Sequence, residues 1–107
     1  MKVDFTYDEL IEICFLFIVV DEEYVKQRKH EQHVFLNTIK TYIEQNLHDK
    51  KYELELSKHY IIELSNVIMD AINVSGSRNM YRLSEQGIDI YDKLNKIILE
   101  IAKNHVI

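Results

Sequence analysis

The chain has 107 residues, 47% of them hydrophobic and 29% charged. That is too apolar for a disordered segment, too charged for a membrane bundle, and the right length for a single domain covering residues 1–107. A net charge of −5 opposes adventitious binding to nucleic acid or anionic lipid, yet it is too dilute for a nucleic-acid mimic. The chain has no Pro and only two Gly, Gly76 and Gly87, which removes the punctuation of sandwiches, barrels and phosphate-binding loops. We therefore expect an all-α fold of about four helices, arranged as a compact bundle or as two helical hairpins, with a minor two-stranded β ribbon as its only extended element.

In chain order, Lys2, Val3, Asp4 and Phe5 alternate polar and apolar side chains as a short half-buried strand does. Thr6 is an N-cap, Glu9 completes a capping box with it, and Phe5 and Leu10 are placed to form a hydrophobic staple. A first helix is predicted from Tyr7 into the region of residues 24–29. Within it, residues 13–20 are all apolar, leaving no solvent face and demanding more cover than three other helices supply. This predicts a homodimer whose interface includes Ile13, Phe15, Leu16, Phe17 and Val20. The longer stretch from Leu10 to Val20 is interrupted by Glu12 and is too short to span a membrane. No basic leader with a small-residue cleavage site precedes it. Cys14 is the only cysteine, so no internal disulfide forms and a packed thiol in a reducing cytoplasm is expected.

Residues 26–33 are polar, and a second helix is predicted over residues 32–47. His30 and His33 share one side of a helical turn, but the chain contains no Glu-x-x-His with which to build a carboxylate-bridged metal site. Asp21, Glu22 and Glu23 diverge around a helix and make a poor ligand set. Lys26, Arg28, Lys29 and His30, with Lys50 and Lys51, form the densest basic region, without aromatic residues interleaved for base stacking.

Beyond residue 52 the opening signal returns. Leu54-Glu55-Leu56-Ser57 matches Val3-Asp4-Phe5-Thr6, and Ile61-Ile62-Glu63-Leu64 matches Leu10-Ile11-Glu12-Ile13 in the same register. Ser57 is the second N-cap and Leu56 with Ile61 the second staple. Tyr60 stands where the box would need Glu, so this cap is the weaker. A third helix is predicted over 58–74, a turn at Ser75-Gly76-Ser77, and a fourth helix from Ser84 or Ile88 to Lys103. Allowing a few extra turn residues, Phe35, Ile39, Tyr42 and Ile43 can be placed over Ile90, Leu94, Ile97 and Ile98. This outlines an internal repeat of 3–47 and 54–101.

Tyr81-Arg82-Leu83-Ser84-Glu85-Gln86-Gly87 resembles the Tyr-x-Leu-Thr-x-x-Gly segment that closes the wing of PadR- and MarR-type winged-helix regulators. The resemblance implies a shortened wing over 72–83, a dimerisation helix over 88–101, and Arg78 and Arg82 as phosphate contacts. It covers about a fifth of the chain. Upstream, residues 58–72 lack the turn of a helix-turn-helix.

No dinucleotide fingerprint, P-loop, Cys-x-x-Cys or nucleophile elbow occurs. The expectation is a non-catalytic protein with no cofactor and no metal, located in the cytoplasm. It acts by binding an as yet unidentified protein, as a small regulator, inhibitor or phage accessory factor, with a DNA-binding regulator as the alternative. The richness in Ile, Lys, Asn and Tyr points to AT-rich coding sequence, as in a low-GC Gram-positive bacterium or its phage.

Overall fold

The computed structural model describes residues 1–104. The order of elements is β1 (Lys2–Asp4), α1 (Tyr7–Lys26), α2 (His30–His48), β2 (Glu53–Glu55), α3 (Lys58–Ser77) and α4 (Tyr81–Asn104). The fold is 80% helical, with the small sheet as its only extended part among the described residues. None of the described helices is long and apolar enough to cross a membrane.

The two strands pair antiparallel, with Lys2 opposite Glu55, Val3 opposite Leu54 and Asp4 opposite Glu53. Backbone hydrogen bonds from Phe5 N to Tyr52 O and from Leu56 N to Met1 O continue the ladder at both ends. Alternation turns Val3 and Leu54 inward, where both are buried. Phe5 and Leu56 follow them into the core, and the caps then begin the helices. Thr6 Oγ1 accepts from Glu9 N at 3.0 Å while Glu9 Oε1 accepts from Thr6 N at 2.8 Å, the full capping box. Ser57 Oγ accepts from Tyr60 N at 3.1 Å with no return bond.

Every element of the second half starts 51 residues after its counterpart: Lys2 and Glu53, Tyr7 and Lys58, His30 and Tyr81. The ends of α1 and α3, Lys26 and Ser77, keep the same spacing, whereas α4 runs on beyond the counterpart of the end of α2. At Arg28 and Asn79 the backbone turns left-handed, with φ of 58° and 62°. In each case the next residue's N–H reaches back to the helix, Lys29 to Tyr24 O and Met80 to Ser75 O, closing a Schellman motif. Lys50 (φ 57°) ends α2 in the same way, with Lys51 N donating to Asn46 O. Val3 pairs with Leu54, its own counterpart, so the ribbon has a local two-fold centre and the helices are laid out around it.

This geometry corrects several expectations. The buried positions of α2 are Leu36, Ile39 and Ile43, and those of α4 are Gly87, Ile90 and Leu94. The halves therefore correspond without extra turn residues, with Ile39 over Ile90 and not over Leu94. Ser75, Gly76 and Ser77 form the last turn of α3, and the reversal falls at Arg78, Asn79 and Met80. The fourth helix starts at Tyr81, so the segment resembling the end of a wing is helical and residues 72–83 contain no strand. Ile13, Leu16, Phe17 and Val20 are fully buried within the chain. The apolar stretch of α1 needs no second chain to cover those four, because α1 is flanked by α2, α3 and α4 together.

The two halves differ in how closely their second helix settles. Gly87 lets α4 lie against both α3 and α1: a Cβ at this position would stand 2.7 Å from Ile72 Cγ1 and 3.3 Å from Leu16 Cδ2. Its counterpart Leu36 carries a full side chain into the core. α2 accordingly rests on α1 while its backbone stays apart from that of α3. The counterpart pair, α4 and α1, pack more closely than α2 and α3 do.

Candidate interaction groove

Between α2 and the start of α3 lies a groove whose floor is Ile39 and Leu56, both buried. Its inner part, about 200 Å³, is lined by Thr38, Ile39, Tyr42, Glu55, Leu56 and Tyr60. An outer, more open part of about 410 Å³ adds His30, Glu31, Val34 and Phe35, and shares Thr38 and Tyr60 with the first. Phe35 and Tyr60 stack across it, with ring centroids 5.4 Å apart and planes at 28°. Tyr42 closes the inner end against β2: its hydroxyl donates to Glu55 O at 3.1 Å and accepts from Glu55 N at 3.2 Å.

Helix periodicity explains the grouping. Val34, Thr38 and Tyr42 follow one another at intervals of four on α2, with Phe35 beside them, so they share one side of the helix. Tyr60 occupies the third position of α3, where a capping-box glutamate would otherwise reach back to the N-cap. The substitution that weakens the second cap thus supplies an aromatic wall. Val34 is 63% exposed and Tyr60 36%, so the outer groove presents apolar surface to solvent.

At the counterpart positions the chemistry is reversed. Val34, Phe35, Tyr42 and Tyr60 correspond to Glu85, Gln86, Lys93 and Glu9. There Lys93 Nζ binds Glu9 Oε1 at 2.9 Å and lies 4.9 Å from the centroid of the Phe5 ring. Burial pushes the Glu9 carboxyl up, but the Thr6 backbone N–H and Lys93 outweigh it and hold the group below the usual carboxylate range. An ion pair seals that side, whereas aromatic and aliphatic groups line the open one.

Of the five residues expected to form a dimer interface, only Phe15 is exposed, at 55%. Ile18, one turn further along the same face, is 50% exposed. The corresponding α3 positions are Asn66 and Met69.

Arg78 does not present a free guanidinium. Nη1 meets Glu22 Oε2 and Nη2 meets Glu23 Oε1, both at 2.8 Å, tying the end of α3 to the end of α1. Arg78 holds the Glu23 carboxyl below its ordinary range. Arg82 is exposed on α4, and its charge acts on Glu12, whose carboxyl is nevertheless raised by burial and by the acidic neighbours Asp8, Glu9 and Asp89. Arg78 and Arg82 thus act on different carboxylates, Glu22 and Glu23 for the one and Glu12 for the other.

His33 Nδ1 lies 2.6 Å from Asp21 Oδ1 and its Nε2 lies 3.1 Å from Asn37 Nδ2, a tie between α1 and α2. His30 lines the outer end of the groove instead. Among the described residues no three His, Cys, Asp or Glu side chains converge as a metal site. Cys14 is partly buried, and burial, followed by the Glu44 charge, pushes its thiol up and away from the reactive thiolate.

Sequence reasoning did not assemble this groove. Its one visible sign was Tyr60 in place of the capping glutamate. No protein-family model, curated protein or solved structure matches the chain.

Proposed function

We propose that the chain is a non-catalytic interaction module that binds another protein through the groove between α2 and α3. The observation that carries this reading is the contrast between halves. Where α4 and α1 close their junction with a charged pair, α2 and α3 keep theirs open and line it with Val34, Phe35, Tyr42 and Tyr60. Concave apolar surfaces walled by aromatic side chains are where interface energy concentrates, and an amphipathic helix is the usual occupant of such a groove. A small regulator or inhibitor would work this way. The winged-helix alternative lacks support, since its wing segment is helical and Arg78 is engaged by two carboxylates.

The test is capture from the native host with the wild-type chain, Val34→Glu and Tyr60→Ala, using Arg82→Ala as the control. A specific protein retained by wild type and Arg82→Ala and lost by the two groove variants supports the reading. A retained protein that ignores both groove variants overturns it, as does recovery of nothing above background.

A second surface is favoured by its own observation. Phe15 and Ile18 are exposed on one face of α1, where the repeat places Asn66 and Met69 on α3. We assign self-association to this face. Light scattering should find a wild-type dimer that Phe15→Glu dissociates, and a wild-type monomer at high micromolar concentration removes the assignment.

A further inference from the structure

We propose that the two halves of this chain are exchangeable lobes, so that a second copy of the chain can supply either lobe and produce a half-exchanged dimer hinged at residues 49–52. The partner in this interaction is the chain itself, and the surface is the one already buried between residues 1–48 and 53–104.

Three observations carry the proposal. First, the chain passes between lobes only once, through the short connection from α2 to β2. Every contact of β1 with β2 and of α1 with α3 or α4 joins residues on opposite sides of that connection, so the same contacts form equally well between two chains. Second, the lobe interface is extensive and apolar. It places Val3 against Leu54 and Leu16 against Gly87, so an opened lobe leaves core surface uncovered and a second copy restores all of it. Third, the closed hinge holds Lys50 in the left-handed region at φ 57°, a conformation that costs a residue with a Cβ appreciable energy. Short hinges under strain favour exchange, because a hinge that straightens on opening gives up the Lys51–Asn46 cap and with it the left-handed Lys50, while the lobe interface is regained in the dimer. The same left-handed geometry at Arg28 and Asn79 lies within a lobe and is kept in both forms.

The register supplies the reporter. Asp4 and Glu53 face each other across the ribbon, at a separation that a disulfide can span. Both are exposed. In a Cys14→Ser background, one full-length chain carries Asp4→Cys and another carries Glu53→Cys. The two are unfolded, mixed in equal amounts, refolded at high concentration and oxidised. Half exchange predicts covalent heterodimers in large excess over the one-to-two-to-one ratio of homodimers and heterodimers that random collision gives. Lys50→Gly, which accepts the left-handed turn freely, should raise the dissociation constant of the exchanged dimer by about tenfold or more. Deleting Lys50 and Lys51 should make the dimer dominant, because the chain then has too little length to fold back. A statistical ratio of cross-links, with every soluble variant monomeric by light scattering, overturns the proposal. So does a dimer whose cross-links follow the collision ratio, which would be one held through other surfaces. Phe15→Glu leaves the exchange signal intact, which separates this dimer from association through the outer face of α1.

Discussion

Gly87 faces Ile72 so closely that a Cβ on Gly87 would stand 2.7 Å from Ile72 Cγ1. Ile72 is stiff at χ1 and nearly buried, so it cannot swing away as the tip of a flexible side chain would. Gly87→Ala gains about 1 kcal/mol of helix propensity and forces an overpacking that costs about 1–3 kcal/mol. The expected net effect is destabilisation with a melting temperature lower by several degrees. In a double variant with Ile72→Ala the loss should be smaller than the sum of the single losses, because the second change removes the obstacle. Gly76 provides the contrast: a Cβ there meets only Ser84 Oγ at 3.9 Å, so Gly76→Ala should stabilise by about 0.4–1 kcal/mol. Thermal denaturation of the two variants side by side checks both signs.

The two N-caps should differ in weight. Thr6 takes part in a reciprocal pair of hydrogen bonds, and its partner Glu9 also holds Lys93. Ser57 accepts a single bond from Tyr60 N. Thr6→Ala should cost about 1–2 kcal/mol and Ser57→Ala about 0.5–1 kcal/mol. Urea unfolding with unchanged slope would report the difference in midpoints. Equal losses would mean that the capping box and its link to α4 add nothing beyond the first hydrogen bond.

These caps are legible in the sequence because they are side-chain events with fixed spacing: Thr6 to Glu9, Phe5 to Leu10, Leu56 to Ile61. The helix ends are not, for a physical reason. A Schellman reversal is made of backbone hydrogen bonds, and at Arg28, Lys50 and Asn79 it is adopted by residues that are not glycine. Ser75-Gly76-Ser77 therefore drew the turn three residues too early, although a glycine with ordinary helical φ simply continues a helix. The slip of one turn between Ile39 and Leu94 has a similar origin. Apolar residues at intervals of three and four align nearly as well after a shift of four, and Gly87 offers no side chain to mark that it matches Leu36. The apolar run of α1 was legible as burial, while its partition was not: which of residues 13–20 point outward depends on three neighbouring helices. The groove was invisible for the complementary reason, since it arises from the difference between Leu36 and Gly87 in setting how far a helix stands off.

The left-handed positions yield a prediction of opposite sign to most substitutions. Arg28→Gly and Asn79→Gly remove the steric cost of a Cβ at φ near 60°. The gain is partly offset by the extra freedom that glycine gives the unfolded chain. Arg28→Gly should stabilise by about 0.5 kcal/mol or more. Asn79→Gly should gain less, because asparagine tolerates this region better than arginine and Asn79 Oδ1 also accepts from the Tyr81 hydroxyl at 2.7 Å. A fall in stability for Arg28→Gly would show that the reversal rests on more than backbone geometry.

Acid should loosen the junction of α1 with α4. The Glu9 carboxyl is lowered from its ordinary value near 4.5 by Thr6 and Lys93 in spite of burial, so the unfolded chain binds this proton more tightly than the folded chain does. The associated stability is fully present above that ordinary value and is lost as pH falls through the lower folded value. Glu9→Gln keeps the size of the side chain and removes the charge, so its stability should be less than that of wild type at neutral pH and the gap should narrow as the pH is brought below 4. A gap between wild type and Glu9→Gln that stays constant from pH 7 to pH 3 would mean that the charge of Glu9 does not secure the sealed side. The contrast between one half closed by an ion pair and the other left open would then need a different cause.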